Sequence, residues 1–247
     1  CQSRRLRVVK KFALIGAGVM GRNHARVLSN LTDVEFVAIV EPDIGEFTLP
    51  KTVAIAPTIS ELSSLGVDAA IVATPTATHE DISLELAALS IHSLVEKPVA
   101  DSTAAASRMS NAFINKNLVG AVGHIERHNP AIRELKRRLT AGEIGDVYQI
   151  VTRRQGSFPD RIRDVGVAKD LATHDIDTVS WAAGSGYEHI YGEVSRKRQS
   201  PHEDLVIATG QLCNGIMVNH VVNWVSPLKE RAVVVTGSRG TFIADTL

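Results

Sequence analysis

Short apolar runs rich in β-branched residues alternate with longer amphipathic stretches between residue 12 and about residue 122. This alternation is typical of repeated βαβ units and predicts a parallel sheet with helices packed on it. Strands are predicted at Phe12–Ile15, Glu35–Val40, Ala69–Ala73, Ser93–Val95 and Val119–Val122. Helices are predicted at Val19–Leu31, Ile59–Leu65, His79–Leu89 and Ser102–Asn117, with Thr78 and Asp101 as candidate caps. The sequence therefore predicts an α/β domain, a doubly wound parallel sheet, over residues 1–122.

The pattern changes after Gly123. Asn129-Pro130 is typical of a helix start, and this helix is predicted to run to about Ala141. A strand at Val147–Arg154 and a helix near Leu171–Ala183 follow. From Tyr187 onward, antiparallel strands are predicted between turn signals at Asn214-Gly215, Ser226-Pro227 and Gly237 to Gly240. The pattern predicts a second, α+β domain over residues 123–247, with an open, mostly antiparallel sheet that is C-terminally incomplete.

Charge and cysteine content narrow the possible partners. Lys and Arg total 27, and so do Asp and Glu, so no broad field favours nucleic acid or an anionic membrane surface. No apolar run approaches the ~20 residues needed to cross a bilayer. Cys1 and Cys213 are too few for a disulfide framework or a thiolate metal site. We therefore expect a cytoplasmic protein with no nucleic-acid partner, no membrane partner and no metal.

A glycine motif follows the first predicted strand and opens the first predicted helix. Residues 16–21 read Gly-Ala-Gly-Val-Met-Gly. In this position the glycines can form a tight turn, admit a pyrophosphate and let the helix pack closely, while the helix N-terminus faces the phosphates. The motif predicts a dinucleotide-binding Rossmann domain. The predicted cofactor contacts here are Gly16, Gly18, Val19, Met20 and Gly21.

An acidic residue ends the second predicted strand. Glu41 lies twenty residues past Gly21, where a carboxylate can accept hydrogen bonds from both ribose hydroxyls of NAD. The same carboxylate would repel the 2′-phosphate of NADP, so NAD is the expected cofactor. The alternative is a simple turn carboxylate before Pro42.

Two further segments leave predicted strands at the carboxyl edge, where open α/β sheets bind ligands. Thr74 and Pro75 could line the cofactor, and so could His79, although His79 could equally be a first-turn helix residue without a catalytic task. Glu96-Lys97-Pro98 ends the next strand. Lys97 is the catalytic candidate because its ammonium group can donate to a substrate hydroxyl, and Glu96 and Lys97 are also predicted to contact the cofactor.

A polar constellation marks the helix predicted near residue 171. Asp170, His174 and Asp177 are spaced i, i+4 and i+7, so they are predicted to share one helix face. His174 could accept the proton of an alcohol while Asp170 orients the imidazole or binds a neighbouring hydroxyl. Helix capping is the alternative, favoured for Asp177. The base stays open between His174 and Lys97, because the pair can titrate together.

With these motifs in their order along the chain, the sequence resembles the glucose–fructose oxidoreductase / inositol dehydrogenase (Gfo/Idh/MocA) family. The resemblance rests on the strand-linked glycine motif, on Glu96-Lys97-Pro98 and on Asp170 with His174. It implies an NAD-dependent enzyme that oxidises a ring hydroxyl of a sugar or cyclitol, with Lys97, Asp170 and His174 as the catalytic group. The alternative from another class is a regulatory protein that binds the dinucleotide without turnover.

A narrower resemblance concerns the second domain. Segments 123–130, 153–154 and 158–166, together with Asn223-Trp224, resemble the UDP-N-acetylglucosamine 3-dehydrogenase branch. This implies oxidation of the 3-hydroxyl of the nucleotide sugar to a ketone, whereas an inositol or free-aldose dehydrogenase is the alternative. Arginines suit a diphosphate because guanidinium groups pair with phosphate oxygens. The predicted substrate contacts are Glu126, Arg127, Asn129, Arg153, Arg163, Asp170 and His174.

The resemblance also implies self-association through the sheet of the second domain. Family members typically pack this sheet face against another subunit, so a homodimer or homotetramer is expected. The apolar side chains assigned to that face are Val218, Val221, Val233 and Val235. A buried side of a strand is the alternative explanation for such a valine pattern.

Overall fold

The computed structural model of the chain describes residues 9–45, 47–159, 165–198 and 201–247. The chain forms a first unit that ends at Gly123 and a second unit that begins at His124. Each unit has its own sheet and its own apolar core. None of the helices in the described ranges is both long enough and apolar enough to span a bilayer.

The first unit is built on a six-stranded parallel sheet. Its strands are β1 (Lys10–Ile15), β2 (Val34–Val40), β3 (Ala54–Ala56), β4 (Ala69–Val72), β5 (His92–Val95) and β6 (Gly120–Val122). Their order in the sheet is β3-β2-β1-β4-β5-β6, and every neighbouring pair is parallel. The order reverses between β1 and β4, the point at which doubly wound sheets bind ligands. The predicted α/β class is confirmed.

Three α-helices cover this sheet: α1 (Val19–Asn30), α2 (His79–Ala88) and α3 (Thr103–Asn115). Alternate residues of β1 belong to different core clusters, because successive side chains of a strand point to opposite faces. Ile15 packs in the cluster of Leu86 from α2, whereas Leu14 packs in the cluster of Leu28 from α1. The apolar run of β1 is therefore buried on both sides, as a central parallel strand requires.

Some local predictions in the first unit are wrong. The helix expected at Ile59–Leu65 is a 3-10 helix at Ile59–Ser63, because Gly66 turns the chain with a φ of +66°. Ser102 rather than Asp101 caps α3, and its hydroxyl accepts a hydrogen bond from the backbone N–H of Ala105 at 3.2 Å. The short strand β3 has no counterpart among the predicted elements, since three residues give no readable period.

The second unit is built on a six-stranded mixed sheet. Its strands are β7 (Val147–Ser157), β8 (Tyr187–Ser195), β9 (Leu205–Leu212), β10 (Met217–Asn223), β11 (Val225–Gly237) and β12 (Gly240–Asp245). Their order is β12-β11-β7-β10-β9-β8. Only the β7–β10 pair within this sheet is parallel, and the other neighbouring strands run antiparallel. The predicted mostly antiparallel sheet is confirmed.

Two α-helices pack on one face of this sheet, α4 (Pro130–Thr140) and α5 (Thr173–Ala183). A π-helical turn, Ala168–Ala172, leads into α5, so the helix predicted near Leu171 begins with irregular geometry. Between helices and sheet lies an apolar core. Its members include Ile132, Leu135, Ile150, Val179, Val218 and Val235.

Two predictions about the second sheet are wrong. Ser226-Pro227 is not a turn between strands, because both residues lie inside β11. The pairing of β11 with β7 shifts register between Val225 and Glu230. This irregular stretch accommodates a proline, which has no N–H to donate to the neighbouring strand.

The second wrong prediction concerns the four valines assigned to an association face. Val218, Val233 and Val235 are at most 3% exposed and pack in the core beneath the helices. Because the side-chain period of a strand is two, Val221 points to the opposite face, which is helix-free among the described residues. Only this fourth valine therefore lies on the face that the prediction described.

Candidate active site

The glycine turn has the geometry that a bound phosphate requires. Gly16 adopts a φ of +94°, and a Cβ there would lie 2.8 Å from the carbonyl oxygen of Ala73. A Cβ on Gly21 would collide with the carbonyl oxygen of Gly16. Around Gly18, by contrast, a Cβ would meet nothing within 4 Å. The first and third glycines permit close backbone packing, and the second faces open space that a pyrophosphate can enter.

Glu41 lies directly beside this turn. One carboxylate oxygen accepts a hydrogen bond from the backbone N–H of Ala17 at 2.5 Å, and the other accepts from Asp43 at 3.1 Å. At the start of α1, the apolar side chains of Val19 and Met20 are 67% and 40% exposed. A carboxylate and uncovered apolar side chains around one glycine turn fit the ribose and phosphate portion of NAD.

The loop after β4 is held by its own side chains. The hydroxyl of Thr78 lies 2.8 Å from both the hydroxyl of Thr74 and the carbonyl oxygen of Pro75, towards which it is the donor, and it accepts no capping hydrogen bond from α2. His79 is 1% exposed, with Nε2 at 3.0 Å from the carbonyl oxygen of Thr74 and Nδ1 at 3.0 Å from that of Pro98. The structure thus places Pro75 at the surface and the His79 ring beneath the loop.

The Glu96-Lys97-Pro98 segment follows β5. One carboxylate oxygen of Glu96 lies 2.7 Å from Nε2 of His24, and the other accepts from the backbone N–H of Lys97 at 3.1 Å. Burial raises the pKa of the Glu96 carboxyl, but the contacts with His24 and Lys97 outweigh burial and leave the pKa below its usual value. Lys97 itself is half-buried. The lysine therefore follows an ionised, anchored glutamate.

In the second unit, Asp170 and His174 flank the junction between the π turn and α5. Asp170 is 9% exposed, and its backbone N–H donates to the carbonyl of Gly166 at 3.0 Å. His174 lies half-buried in the first turn of α5. Because π turns often occur at functional sites, the irregular geometry at Asp170 is consistent with its predicted role.

Asp177 pairs with Arg127, which the sequence predicts to contact the substrate instead. The guanidinium group of Arg127 donates to both carboxylate oxygens, at 2.9 and 2.5 Å, and Nε2 of His124 lies 3.5 Å from one of them. The hydrogen bond to Asp177 raises the pKa of Arg127, whereas burial lowers the pKa of His124. Arg127, a predicted substrate contact, is thus held by a bidentate ion pair.

A buried ionic network lies beneath these residues and was missed by the sequence analysis. Arg154 donates to Asp175 at 2.7 Å and to Glu126 at 2.8 Å. Arg154 and Asp175 are at most 4% exposed, and Glu126 is 9% exposed. Burial raises the pKa of Asp175 despite the attraction of Arg154. The alternating buried positions of β7, Ile150, Thr152 and Arg154, were the signal that could have identified the arginine.

The remaining predicted contacts have separate positions. Asn129 caps α4, and its side chain accepts from the backbone N–H of Ala131 at 3.0 Å. Arg153, whose side chain is 59% exposed, lies 3.6 Å from Glu230. Arg163 lies outside the described residues. Within the described ranges there is no group of three or more histidine, cysteine or acidic side chains that could hold a metal ion.

Family comparisons agree with this geometry. The sequence model described as "Oxidoreductase family, NAD-binding Rossmann fold" matches residues 10–124, and the "GFO/IDH/MocA C-terminal domain" matches residues 132–243. The chain belongs to the Gfo/Idh/MocA family. Its first unit is accordingly the NAD-binding Rossmann domain of this family, and NAD is the cofactor that the glycine turn and Glu41 fit.

Curated relatives in the family act on cyclitols and sugars. The scyllo-inositol 2-dehydrogenase (NAD(+)) of Bacillus subtilis (strain 168) is 28% identical over 73% of this chain and 56% of that protein. The UDP-N-acetylglucosamine 3-dehydrogenase of Acidithiobacillus ferrooxidans is 30% identical over 70% of this chain and 54% of that protein. The chain thus spans little more than half the length of these two relatives.

A solved structure extends the comparison. GenD2 from gentamicin A biosynthesis, in complex with NAD, superposes with a TM-score of 0.87 at 25% identity. The match covers 96% of this chain and 72% of that chain. The fold of both units is therefore that of a Gfo/Idh/MocA protein.

Proposed function

We propose that the protein is an NAD-dependent dehydrogenase that oxidises a ring hydroxyl of a sugar or cyclitol to a ketone. One observation carries the proposal. The glycine turn, Glu41 and Lys97 all follow strands of one parallel sheet at its carboxyl edge, where this fold binds its ligands. A non-catalytic binder needs the turn and the carboxylate but has no use for a lysine at the same sheet edge.

The proposal assigns the cofactor to the first unit. Gly16, Gly18, Gly21 and Glu41 would hold the pyrophosphate and ribose, with Thr74, Pro75, Val19 and Met20 as further contacts. NAD, when bound, supplies the nicotinamide ring that accepts a hydride from the substrate carbon.

The proton leaves by a separate route. His174 takes the proton of the reacting hydroxyl, and the ammonium group of Lys97 donates a hydrogen bond to the oxygen as negative charge develops on it. Asp170 orients the His174 imidazole or binds a neighbouring hydroxyl. The assignment of these residues to one reaction is supported by family membership and by side-chain chemistry.

For the substrate we propose UDP-N-acetylglucosamine, oxidised at its 3-hydroxyl. The 30% identity to a dehydrogenase of that name supports this choice. Arg153 is not part of the support, because its side chain lies on the opposite face of β7 from Arg154, the face that we assign below to subunit association.

An inositol is the second candidate. Arg127 is occupied by Asp177 and Glu126 by Arg154, so two predicted contacts are already engaged inside the unit. A neutral cyclitol needs fewer charged side chains in its binding site than a diphosphate does. Several curated relatives are named inositol 2-dehydrogenase.

We further propose a cytoplasmic homodimer or homotetramer formed through the helix-free face of the second sheet. A continuous row of side chains crosses all six strands on this face: Ile243, Val234, Val151, Asn219, Thr209 and Tyr191. Ile243 and Tyr191 are 74% and 71% exposed, as a surface awaiting a partner would be. The exposed thiol of Cys213 fits a reducing compartment. A monomer in solution, measured by light scattering at micromolar concentration, would refute the association.

The test of function is formation of NADH by the full-length protein with a panel of substrates. The panel contains UDP-N-acetylglucosamine, UDP-glucose, myo-inositol, scyllo-inositol and glucose. We expect NADH from UDP-N-acetylglucosamine alone. Activity only on an inositol would retain the dehydrogenase and replace the nucleotide sugar, whereas NAD binding without turnover on any member would contradict the proposed activity.

A further inference from the structure

Two histidines without an assigned role in the reaction contact the segment that carries Lys97. His24 lies in α1 and touches the side chain of Glu96. His79 opens α2 and touches the backbone of Pro98 and Val99. The segment is therefore held from two helices, and each of these helices begins beside a loop of the proposed cofactor site.

The contact through His24 reaches the backbone of Lys97 itself. His24 Nε2 lies 2.7 Å from one oxygen of Glu96, and the second oxygen accepts from the Lys97 N–H. Gly123 closes the other side, since a Cβ there would lie 3.1 Å from the Glu96 carboxylate. The carboxylate thus has little freedom to move, and its position depends on α1, the helix that follows the glycine turn.

The contact through His79 joins two loops. Nε2 lies 3.0 Å from the carbonyl oxygen of Thr74, and Nδ1 lies 3.0 Å from that of Pro98 and 3.3 Å from that of Val99. All three neighbours are acceptors, so a ring with one N–H donates to one loop and only packs against the other, whereas a doubly protonated ring donates to both. At 1% exposure the ring has no solvent alternative. The buried ring thus lies between the loop after β4 and the segment after β5 and contacts both.

We propose that His24 and His79 are positioning residues that hold Lys97 in place relative to the bound cofactor. The inference rests on the proposed function, because it assigns Lys97 to the reaction. It predicts that loosening either contact moves the lysine without emptying the cofactor site. A displacement of about 1 Å can cost roughly a hundredfold in rate.

The test uses paired variants of the full-length protein. His24→Leu removes the contact to Glu96, whereas His24→Gln keeps an N–H near the position of Nε2. His79→Gln keeps an N–H near Nε2 and loses the grip on Pro98, whereas His79→Asn does the reverse. His92→Gln, at the opposite end of β5, is the matched control. Each variant is measured for kcat, for the KM of NAD and for NAD protection of Lys97 against acetylation by acetic anhydride, read by mass spectrometry.

We expect His24→Leu and His79→Gln to lower kcat by roughly tenfold to a hundredfold, with the KM of NAD changed less than about threefold. Both should also lose the NAD protection of Lys97, and His24→Gln and His79→Asn should recover most of both properties. Unchanged kcat and protection in the two disruptive variants would overturn the inference. So would a joint fall of kcat, NAD affinity and melting temperature that the conservative variants do not repair.

The labelling measurement separates this inference from the proposed function. If the unaltered protein shows NAD protection of Lys97 but turns over no substrate, the proposed activity fails. Loss of protection in His24→Leu and His79→Gln would then still support positioning by the two histidines, and retained protection would overturn it.

Discussion

The two units place their polar groups in opposite ways. In the first unit the candidate residues stand at the edge of the sheet, on loops that follow β1, β2, β4 and β5. In the second unit a polar cluster is buried beneath α5, where Arg154 bridges Asp175 and Glu126. In the first arrangement, backbone and side-chain groups line the sheet edge at which this type of fold binds ligands. In the second arrangement, the charged side chains pair with one another inside the unit.

This difference shows how each unit can hold a reactive group. The first unit holds the Lys97 segment through the side chain of Glu96 and through contacts with His24 of α1 and His79 of α2. The second holds the helix of His174 through an ion pair between α5 and β7, which fixes the helix against the sheet. A fixed internal pair gives little net stability but becomes costly when one partner is removed.

The sharpest test of the buried arrangement is Arg154→Met. It leaves two buried carboxylates unpaired, so we expect the free energy of unfolding, measured in urea, to fall by about 3 to 5 kcal/mol. Arg153→Met is the matched control, because the neighbouring side chain lies on the open face and its removal should cost less than about 1 kcal/mol. If both substitutions lowered the free energy of unfolding equally, the buried network would stabilise the fold no more than an exposed arginine does.

The corresponding test at the sheet edge of the first unit is Lys97→Ala. Loss of the group that we propose to stabilise the developing oxyanion should lower kcat by roughly a hundredfold to a thousandfold, while NAD still binds. Lys51→Ala, at an exposed position of the same unit, should keep the activity of the unaltered protein. Full activity of the Lys97 variant would remove the lysine from the reaction.

Acidification should affect the second unit through His220. Its ring contacts Thr152 at 2.8 Å and Tyr187 at 2.9 Å, and burial lowers its pKa from 6.5 to about 4. In the unfolded chain His220 therefore becomes protonated near pH 6.5, whereas in the folded chain it stays neutral until the pH approaches 4. Stability present above that pH is lost as pH falls towards 4, by about 3 kcal/mol at about 1.4 kcal/mol per pKa unit.

The measurement is the free energy of unfolding between pH 7 and pH 4. Comparison of the unaltered protein with His220→Gln should show a shallower loss in the variant, whereas His189→Gln, at an exposed position, should follow the unaltered protein. An identical pH dependence in all three proteins would argue against His220 as the source.

The smallest effect concerns cofactor choice. Glu41→Gln removes the charge expected to repel a 2′-phosphate, so the ratio of NAD to NADP affinity should fall by roughly tenfold. Dissociation constants of both cofactors, measured by fluorescence titration, check this. Glu35→Gln, at the other end of β2, should leave the ratio unchanged, and an unaltered ratio in the Glu41 variant would remove that residue from cofactor selection.

The sequence predicts the first unit better than the second for a physical reason. The glycine turn and its neighbouring strands are specified by adjacent residues, so the glycine motif and the spacing of apolar residues are enough to predict them. The contact between Arg154 and Asp175 joins β7 to α5 across 21 positions, and it depends on which strand face the helix covers. Periodicity on β7 marks Arg154 as inward-facing but cannot name its partners.

Errors in the second sheet have the same origin. The valines of β10 and β11 and the Ser226-Pro227 pair were interpreted from local pattern alone. Whether a strand face is covered by a helix, and whether a proline falls on a bulge, are decided by pairing between distant strands.

The central proposal is that Lys97 and His174 serve one reaction. A double-mutant cycle on kcat, with Lys97→Ala, His174→Asn and the double variant in the full-length protein, tests it most directly. Residues that act as one group are strongly non-additive, so the double variant should be little slower than the slower single variant. Losses that multiply, or either single variant with the turnover of the unaltered protein, would contradict the claim.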